Sequence, residues 1–96
     1  MPHGTSHWLG LDVHDPASYV DDRGEAVRLQ EGMTFTVEPG LYLRDNSLRG
    51  YQGLGVRIED NVVVTSAGCE ILTDAPKELG EIEELSAQKK VFTLNL

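Results

Sequence analysis

The chain has 96 residues, which bounds it to a single domain. Sixteen acidic residues stand against eight basic ones, for a net charge of -8 and a pI ≈ 4.6. That balance excludes the basic face that nucleic acid or an anionic membrane surface requires.

Hydrophobic residues make up 40% and charged residues 25%, the ordinary balance of a globular protein. A single cysteine, Cys69, rules out an internal disulfide and a cysteine-cluster zinc site, and is expected to be a small, partly buried residue. No apolar run approaches the roughly 20 residues of a membrane span. The N-terminus lacks a basic region followed by an apolar one, so a cytoplasmic, reducing location is expected. A dense motif begins two residues after Met1 with no lead-in structure, so the chain is expected to be a piece of something larger.

All three histidines fall in "HGTSHWLGLDVHD", residues 3–15, which reads as a loop with a tight turn and a short extended piece over 11–14. Residues 15–31 contain the breakers Pro16 and Gly24 and read as irregular, with a brief strand where Val27 and Leu29 alternate. "MTFTVEPGLYL" is a strand with Met33, Phe35 and Val37 on one face and Thr34, Thr36 and Glu38 on the other, broken at Pro39-Gly40 and resumed at Leu41. "RDNSLRGYQGLG" is a polar loop. "VRIEDNVVVT" is a second strand, rich in β-branched residues, and Ser66-Ala67-Gly68 turns it into a third, "CEILT". "DAPKELGEIEELSAQKK" reads as a helix, or as a turn followed by a helix. Pro76 stands at its start, Ile82 and Leu85 form its buried edge, and Lys89 and Lys90 complement the dipole at its end. "VFTLNL" is a tail or a last short strand. The fold class is α+β, mostly antiparallel strands with a C-terminal helix and a thin core.

Three groups of residues could carry chemistry. His3 and His7 are four apart, but Gly4 disfavours a helix there; they read either as hydrogen-bonding loop histidines or as part of a site. Glu38 and Glu59 each sit in an apolar strand, where an ionised carboxylate must be paired, solvated or bound to a cation. Arg57, two residues before Glu59, could satisfy one of them. One imidazole and two carboxylates together suit Mn, Zn, Co or Fe. Gly4, Gly10, Gly40 and Gly55 stand beside these segments and would let backbones approach closely.

"HGTSHWLGLDVHD", "FTVEPGLY" and "GVRIEDNVVVT", in this order and at this spacing, resemble the metal-dependent aminopeptidases of the pita-bread fold, metallopeptidase family M24. The Xaa-Pro aminopeptidases (aminopeptidase P) resemble it most, then the prolidases. The resemblance covers residues 2–88 and makes residues 1–96 the C-terminal portion of a pita-bread catalytic domain, with an N-terminal domain and the first half of the catalytic domain absent. It implies a centre of two metal ions, usually manganese, whose activated water cleaves the bond between a first residue and proline. By motif, His7, Glu38 and Glu59 match metal ligands, Glu38 also serving as proton shuttle. His3 and His14 match histidines that contact the substrate, Tyr19 a pocket tyrosine, and Arg57 an arginine supporting the centre. The family's two aspartate ligands lie upstream of the first histidine motif. Asp12 and Asp15 do not match them, and Asp12 is expected to hydrogen-bond locally. The resemblance thus implies a peptide substrate with proline second, a fragment inactive alone, and strand edges that could join copies into a homo-oligomer. The competing readings are a non-catalytic interaction module on the same fold and a fragment of a prolidase-like dipeptidase.

Overall fold

A computed structural model describes residues 3–45 and 48–88. Five strands and one helix follow in order: β1 (Thr34–Val37), β2 (Gly40–Tyr42), β3 (Gly55–Arg57), β4 (Asp60–Thr65), β5 (Gly68–Ile71) and α1 (Leu79–Ala87). They form two antiparallel sheets, one in the order β1-β4-β5 and one pairing β2 with β3.

The two expected long strands are each split, and they split at the same level. Val37 pairs with Asp60, and Gly40 pairs with Arg57. Residues 38–39 therefore face residues 58–59 across a gap in the ladder. Pro39 has no N–H to give a partner strand, which accounts for the break on its side. Its carbonyl still accepts from the Ile58 N–H at 3.3 Å, which keeps the two sides together. Glu38 and Glu59 thus stand at a sheet junction rather than inside continuous strands.

The free edge of β1 is covered by the histidine segment. The Leu9 N–H donates to the Thr34 carbonyl at 3.1 Å, Thr36 to His7 at 2.9 Å, and Glu38 to Thr5 at 2.8 Å, while Trp8 and Phe35 form an antiparallel bridge. Residues 5–9 act as a further strand, which ties the loop expected from the sequence to the sheet. Residues 11–14 are a series of bends, not the extended piece expected there. Val27 and Leu29 form no strand either; a lone bridge between Val20 and Ala26 closes the turn before them. Gly10 and Asp12 close their turn through backbone groups, the Gly10 N–H donating to the Asp12 carbonyl at 3.2 Å. The side chain that bonds locally is that of Asp15, which accepts from the Ala17 N–H at 3.0 Å.

β4 and β5 form the expected hairpin. Thr65 pairs with Gly68 around a two-residue turn, and Gly68 takes φ 147°, which a side chain would resist. Cys69 on β5 is exposed, not partly buried. After β5 the chain runs extended beside β4, where the Thr73 hydroxyl donates to Asp60 at 2.6 Å and Lys77 pairs with the same carboxylate oxygen at 3.0 Å. These contacts hold residues 73–77 out of the helix, so α1 begins three residues after Pro76, with Glu78 at its N-cap. The expected buried edge of α1 is not buried: Leu79, Ile82 and Leu85 are exposed. Lys89, Lys90 and "VFTLNL" lie outside the described residues.

Among the described residues, Val62 is the only buried hydrophobic side chain, at 5% exposure. The expected alternation of β1 holds, but the better-buried face is the polar one. Thr36 is 1% exposed and Glu38 6%, while Val37 is 44% exposed. The polar face packs against His7 and Arg57, which satisfy its oxygens. No helix of the described residues is long and apolar enough to cross a membrane.

Candidate metal centre

His7 is placed by three contacts with its surroundings. Its carbonyl and its N–H both bind Thr36, the first through the backbone and the second through the Thr36 hydroxyl at 3.0 Å. Its ring Nδ1 lies 3.0 Å from the Trp8 carbonyl. A carbonyl only accepts, so Nδ1 carries the proton and Nε2 is the nitrogen turned to the centre. Nε2 lies 3.2 Å from Oε2 of Glu38.

Glu38 is buried between His7 and Arg57. Oε2 faces His7 and Oε1 accepts from Nη2 of Arg57, whose Nε also reaches the Glu38 carbonyl at 3.3 Å. Burial pushes the carboxyl upward in pKa. Hydrogen bonds from Thr36 and with Glu59, together with the charges of Arg57 and His7, outweigh it and hold Glu38 below the ordinary glutamate value. Glu59 completes the group from the facing side of the junction. One ligand atom each from His7, Glu38 and Glu59 lie within 4.8 Å of one another.

This donor set fits a divalent first-row ion. An imidazole nitrogen with its far side fixed to a carbonyl and two carboxylates are ligands that zinc, manganese, cobalt and iron all accept. Arg57 does not pair with Glu59, as sequence proximity suggested; it reaches across to Glu38 and orients it.

The other expected residues divide. His14 is brought in: its ring meets that of His7 edge-on, with centroids 4.5 Å apart. Tyr19, 56% exposed, stacks on Trp8 at 5.8 Å and joins Ser6, His7, Trp8, Leu29 and Phe35 around an open hollow of about 250 Å³. His3 is engaged elsewhere. Its Nδ1 lies 2.7 Å from the Gly4 carbonyl and its Nε2 2.5 Å from the Tyr42 hydroxyl. By the same tautomer logic, Nδ1 donates and Nε2 accepts from Tyr42. The Tyr42 ring in turn lies over Gly40 and Gly55, where an added Cβ would come within 2.7 and 2.8 Å of it. What approaches these two glycines closely is a side chain, not the backbone expected there. Gly10 is tight as well, against the Asp15 carboxylate, whereas Gly4 has ordinary room. Sequence reasoning overlooked Thr36 and Tyr42. Thr36 shares the strand face of Glu38 two residues away, a signal that alternation alone contains.

Known proteins share this arrangement of segments. Residues 1–66 match metallopeptidase family M24. The Xaa-Pro aminopeptidase of Haemophilus influenzae is 50% identical over 86 residues, covering 86% of this chain and 20% of that protein. Among solved structures, the Pseudomonas aeruginosa aminopeptidase PepP is 52% identical with a TM-score of 0.77, over 88% of this chain and 20% of that one. A zinc-substituted E. coli aminopeptidase P in complex with product is 48% identical with a TM-score of 0.72, over 93% and 21%. The chain spans about a fifth of the length of the curated relatives it matches. The antiparallel strands and helix of the described residues match the pita-bread fold of these neighbours. Profile, identity and fold agree: the chain belongs to metallopeptidase family M24.

Proposed function

We propose that residues 1–96 are the C-terminal segment of the catalytic domain of a metal-dependent aminopeptidase, and that they supply His7, Glu38 and Glu59 as ligands. The activity proposed for the whole protein is removal of the N-terminal residue from peptides with proline second, as the name of the Haemophilus influenzae relative indicates for that protein. One observation carries the reading: donor atoms of the three residues converge within 4.8 Å at the junction of the two sheets. The resident metal proposed is manganese, two ions in the whole protein, with zinc able to replace it, as in the zinc-substituted relative.

A metal ion bound there would polarise the scissile carbonyl and lower the pKa of water. The chain's own residues do the remaining work. Glu38, held ionised by its neighbours, starts as a proton acceptor and so serves as general base. Arg57 keeps Oε1 of Glu38 turned away from His7, leaving Oε2 toward the cluster. His14, packed edge-on against His7, and Tyr19, on the rim of the hollow that His7 also lines, bind the peptide beside the centre. His3 contributes by exchanging its Tyr42 partner for the peptide backbone.

The test is calorimetric titration of the 96-residue chain with manganese alone, beside an assay of X-Pro peptide hydrolysis. Binding that disappears in Glu59→Ala, without turnover, is expected. Robust metal-dependent turnover by these residues alone would refute the view that the centre needs more ligands. Absence of any metal binding would favour a non-catalytic interaction module.

A further inference from the structure

Glu59 stands where the sheets are open. The β1–β4 ladder ends at the pair Val37–Asp60 and the β2–β3 ladder at Gly40–Arg57, so residue 59 falls between them. The next residue along the chain is fastened from outside both ladders. The Thr73 hydroxyl donates to Oδ1 of Asp60 at 2.6 Å, and Nζ of Lys77 reaches the same oxygen at 3.0 Å. The Thr73 oxygen also accepts from the Asn61 N–H at 3.2 Å, while the Leu72 N–H donates to the Asn61 carbonyl at 2.8 Å. An amide N–H only donates, so the single Thr73 proton is free for Asp60. The Thr73 side chain thus takes the place of a backbone acceptor and carries the pairing of β4 beyond Val62–Ile71, up to the edge of the gap. Residues 75–77 lie beside the same junction: Ala75, Pro76 and Lys77 share a hollow of about 180 Å³ with Arg57 and Glu59.

Resting on the metal-centre reading above, we propose that Thr73 and Lys77 are positioning residues for Glu59, clasping Asp60 so that the carboxylate before it is held toward His7 and Glu38. Consecutive side chains along a strand leave on opposite faces, so fixing Asp60, the first residue of β4, fixes how Glu59 is turned. The bond from Ile58 to the Pro39 carbonyl, on the other side of Glu59, is long at 3.3 Å. The clasp is shorter and ends on a charged oxygen, which makes it the stronger tether. Donor atoms of His7, Glu38 and Glu59 lie within 4.8 Å of one another, a spacing that a turn of the chain at residue 59 would open. Removing groups that orient metal ligands lowers affinity by about 10–100-fold, and a clasp acting through the backbone belongs at the lower end, about 10-fold.

Valine keeps the shape of threonine without the oxygen; serine keeps the oxygen without the methyl. Manganese titration of the 96-residue chain, below the unfolding midpoint of every variant, is expected to give Thr73→Val weaker than the parent by about 10-fold and Thr73→Ser within about 3-fold of it. Lys77→Met is expected to weaken binding and Lys77→Arg to restore it. The visible absorption of bound cobalt is expected to change in Thr73→Val and not in Thr73→Ser, which a general loss of stability would not produce. Equal affinity of parent and Thr73→Val overturns the inference, and so does a loss in Thr73→Ser as large as in Thr73→Val. If Thr73→Val does not fold, the Lys77 pair decides: equal affinity of parent and Lys77→Met then overturns it. If the parent binds no manganese, the metal-centre reading fails separately. The positioning claim is then decided by NMR of the chain without metal. Thr73→Val must displace the Glu59 carboxyl resonance and leave the His7 ring in place, and Thr73→Ser must displace neither; any other pattern overturns it.

Discussion

Nε2 of His7 lies 3.2 Å from Oε2 of Glu38, although the two residues belong to different segments and neither lies inside a regular strand. The contact exists because β1 is flanked by the histidine segment on one edge and interrupted at Pro39 on the other side of Glu38. A proton or a cation must lie between two such acceptors, and the nearby Glu59 carboxylate adds a third donor atom for a cation.

Glu38→Gln is expected to weaken manganese binding by about 10–100-fold, because the amide keeps the shape but loses the charge that a hard cation selects. Calorimetric titration reads the change directly. Binding unchanged from the parent would remove Glu38 from the ligand set.

Arg57→Ala leaves the buried Glu38 carboxylate with one cationic neighbour fewer. The expected loss of stability is about 1–2 kcal/mol, the value of a charged hydrogen bond reduced for the partial exposure of the arginine. Arg57→Lys is expected to recover only part of it, since an ammonium cannot reach the carboxylate and the Glu38 carbonyl with a planar fork. Urea denaturation of the three chains gives the order.

Tyr42→Phe removes the donor to Nε2 of His3. The ring stays over Gly40 and Gly55, so the expected cost is small, about 0.5–1.5 kcal/mol. Nitrogen-15 NMR of the His3 ring is expected to show the Nδ1–H tautomer in the parent and a changed Nε2 resonance in the variant. A parent ring protonated on Nε2 instead would contradict the assignment of donor and acceptor.

Gly55→Ala places a methyl group 2.8 Å from the Tyr42 ring. Overpacking of this kind costs about 1–3 kcal/mol. In a Tyr42→Ala background the same substitution is expected to cost much less, because the atom it meets is gone. A double-mutant cycle measures that coupling, and additive losses would show that the two positions do not touch.

Asp21 answers to pH through its turn. Its Oδ1 accepts the N–H of Glu25 at 3.0 Å and of Arg23 at 2.8 Å, and these two bonds, with Arg23 beside it, hold the carboxyl below its ordinary value. A depressed carboxyl contributes stability that is complete above the unfolded-chain value and is lost as pH falls through the lower folded one. Carbon-13 titration is expected to place the Asp21 midpoint below that of an unstructured aspartate. In Asp21→Asn the amide shifts of residues 21–25 are expected to lose that acid transition.

Much of this molecule was legible in its residues. Alternating β-branched positions marked the strands, Pro39 marked the break, and Ser66-Ala67-Gly68 marked the hairpin, because each rests on local backbone geometry. Three short motifs in order were enough to indicate the family, and they singled out His7, Glu38 and Glu59 before any geometry was at hand. What only the tertiary structure decided was who meets whom. Arg57 bonds Glu38 across the sheet junction rather than the nearby Glu59, and His3 turns to Tyr42 rather than to His7. The helix edge at Ile82 and Leu85, apolar by pattern, is exposed because burial depends on what packs against a face, and a periodicity does not name its partner. Thr36 is the clearest case. Its position on the Glu38 face followed from alternation, but the bond its hydroxyl accepts from the His7 N–H joins residues far apart in the chain and exists only once the histidine segment lies along β1.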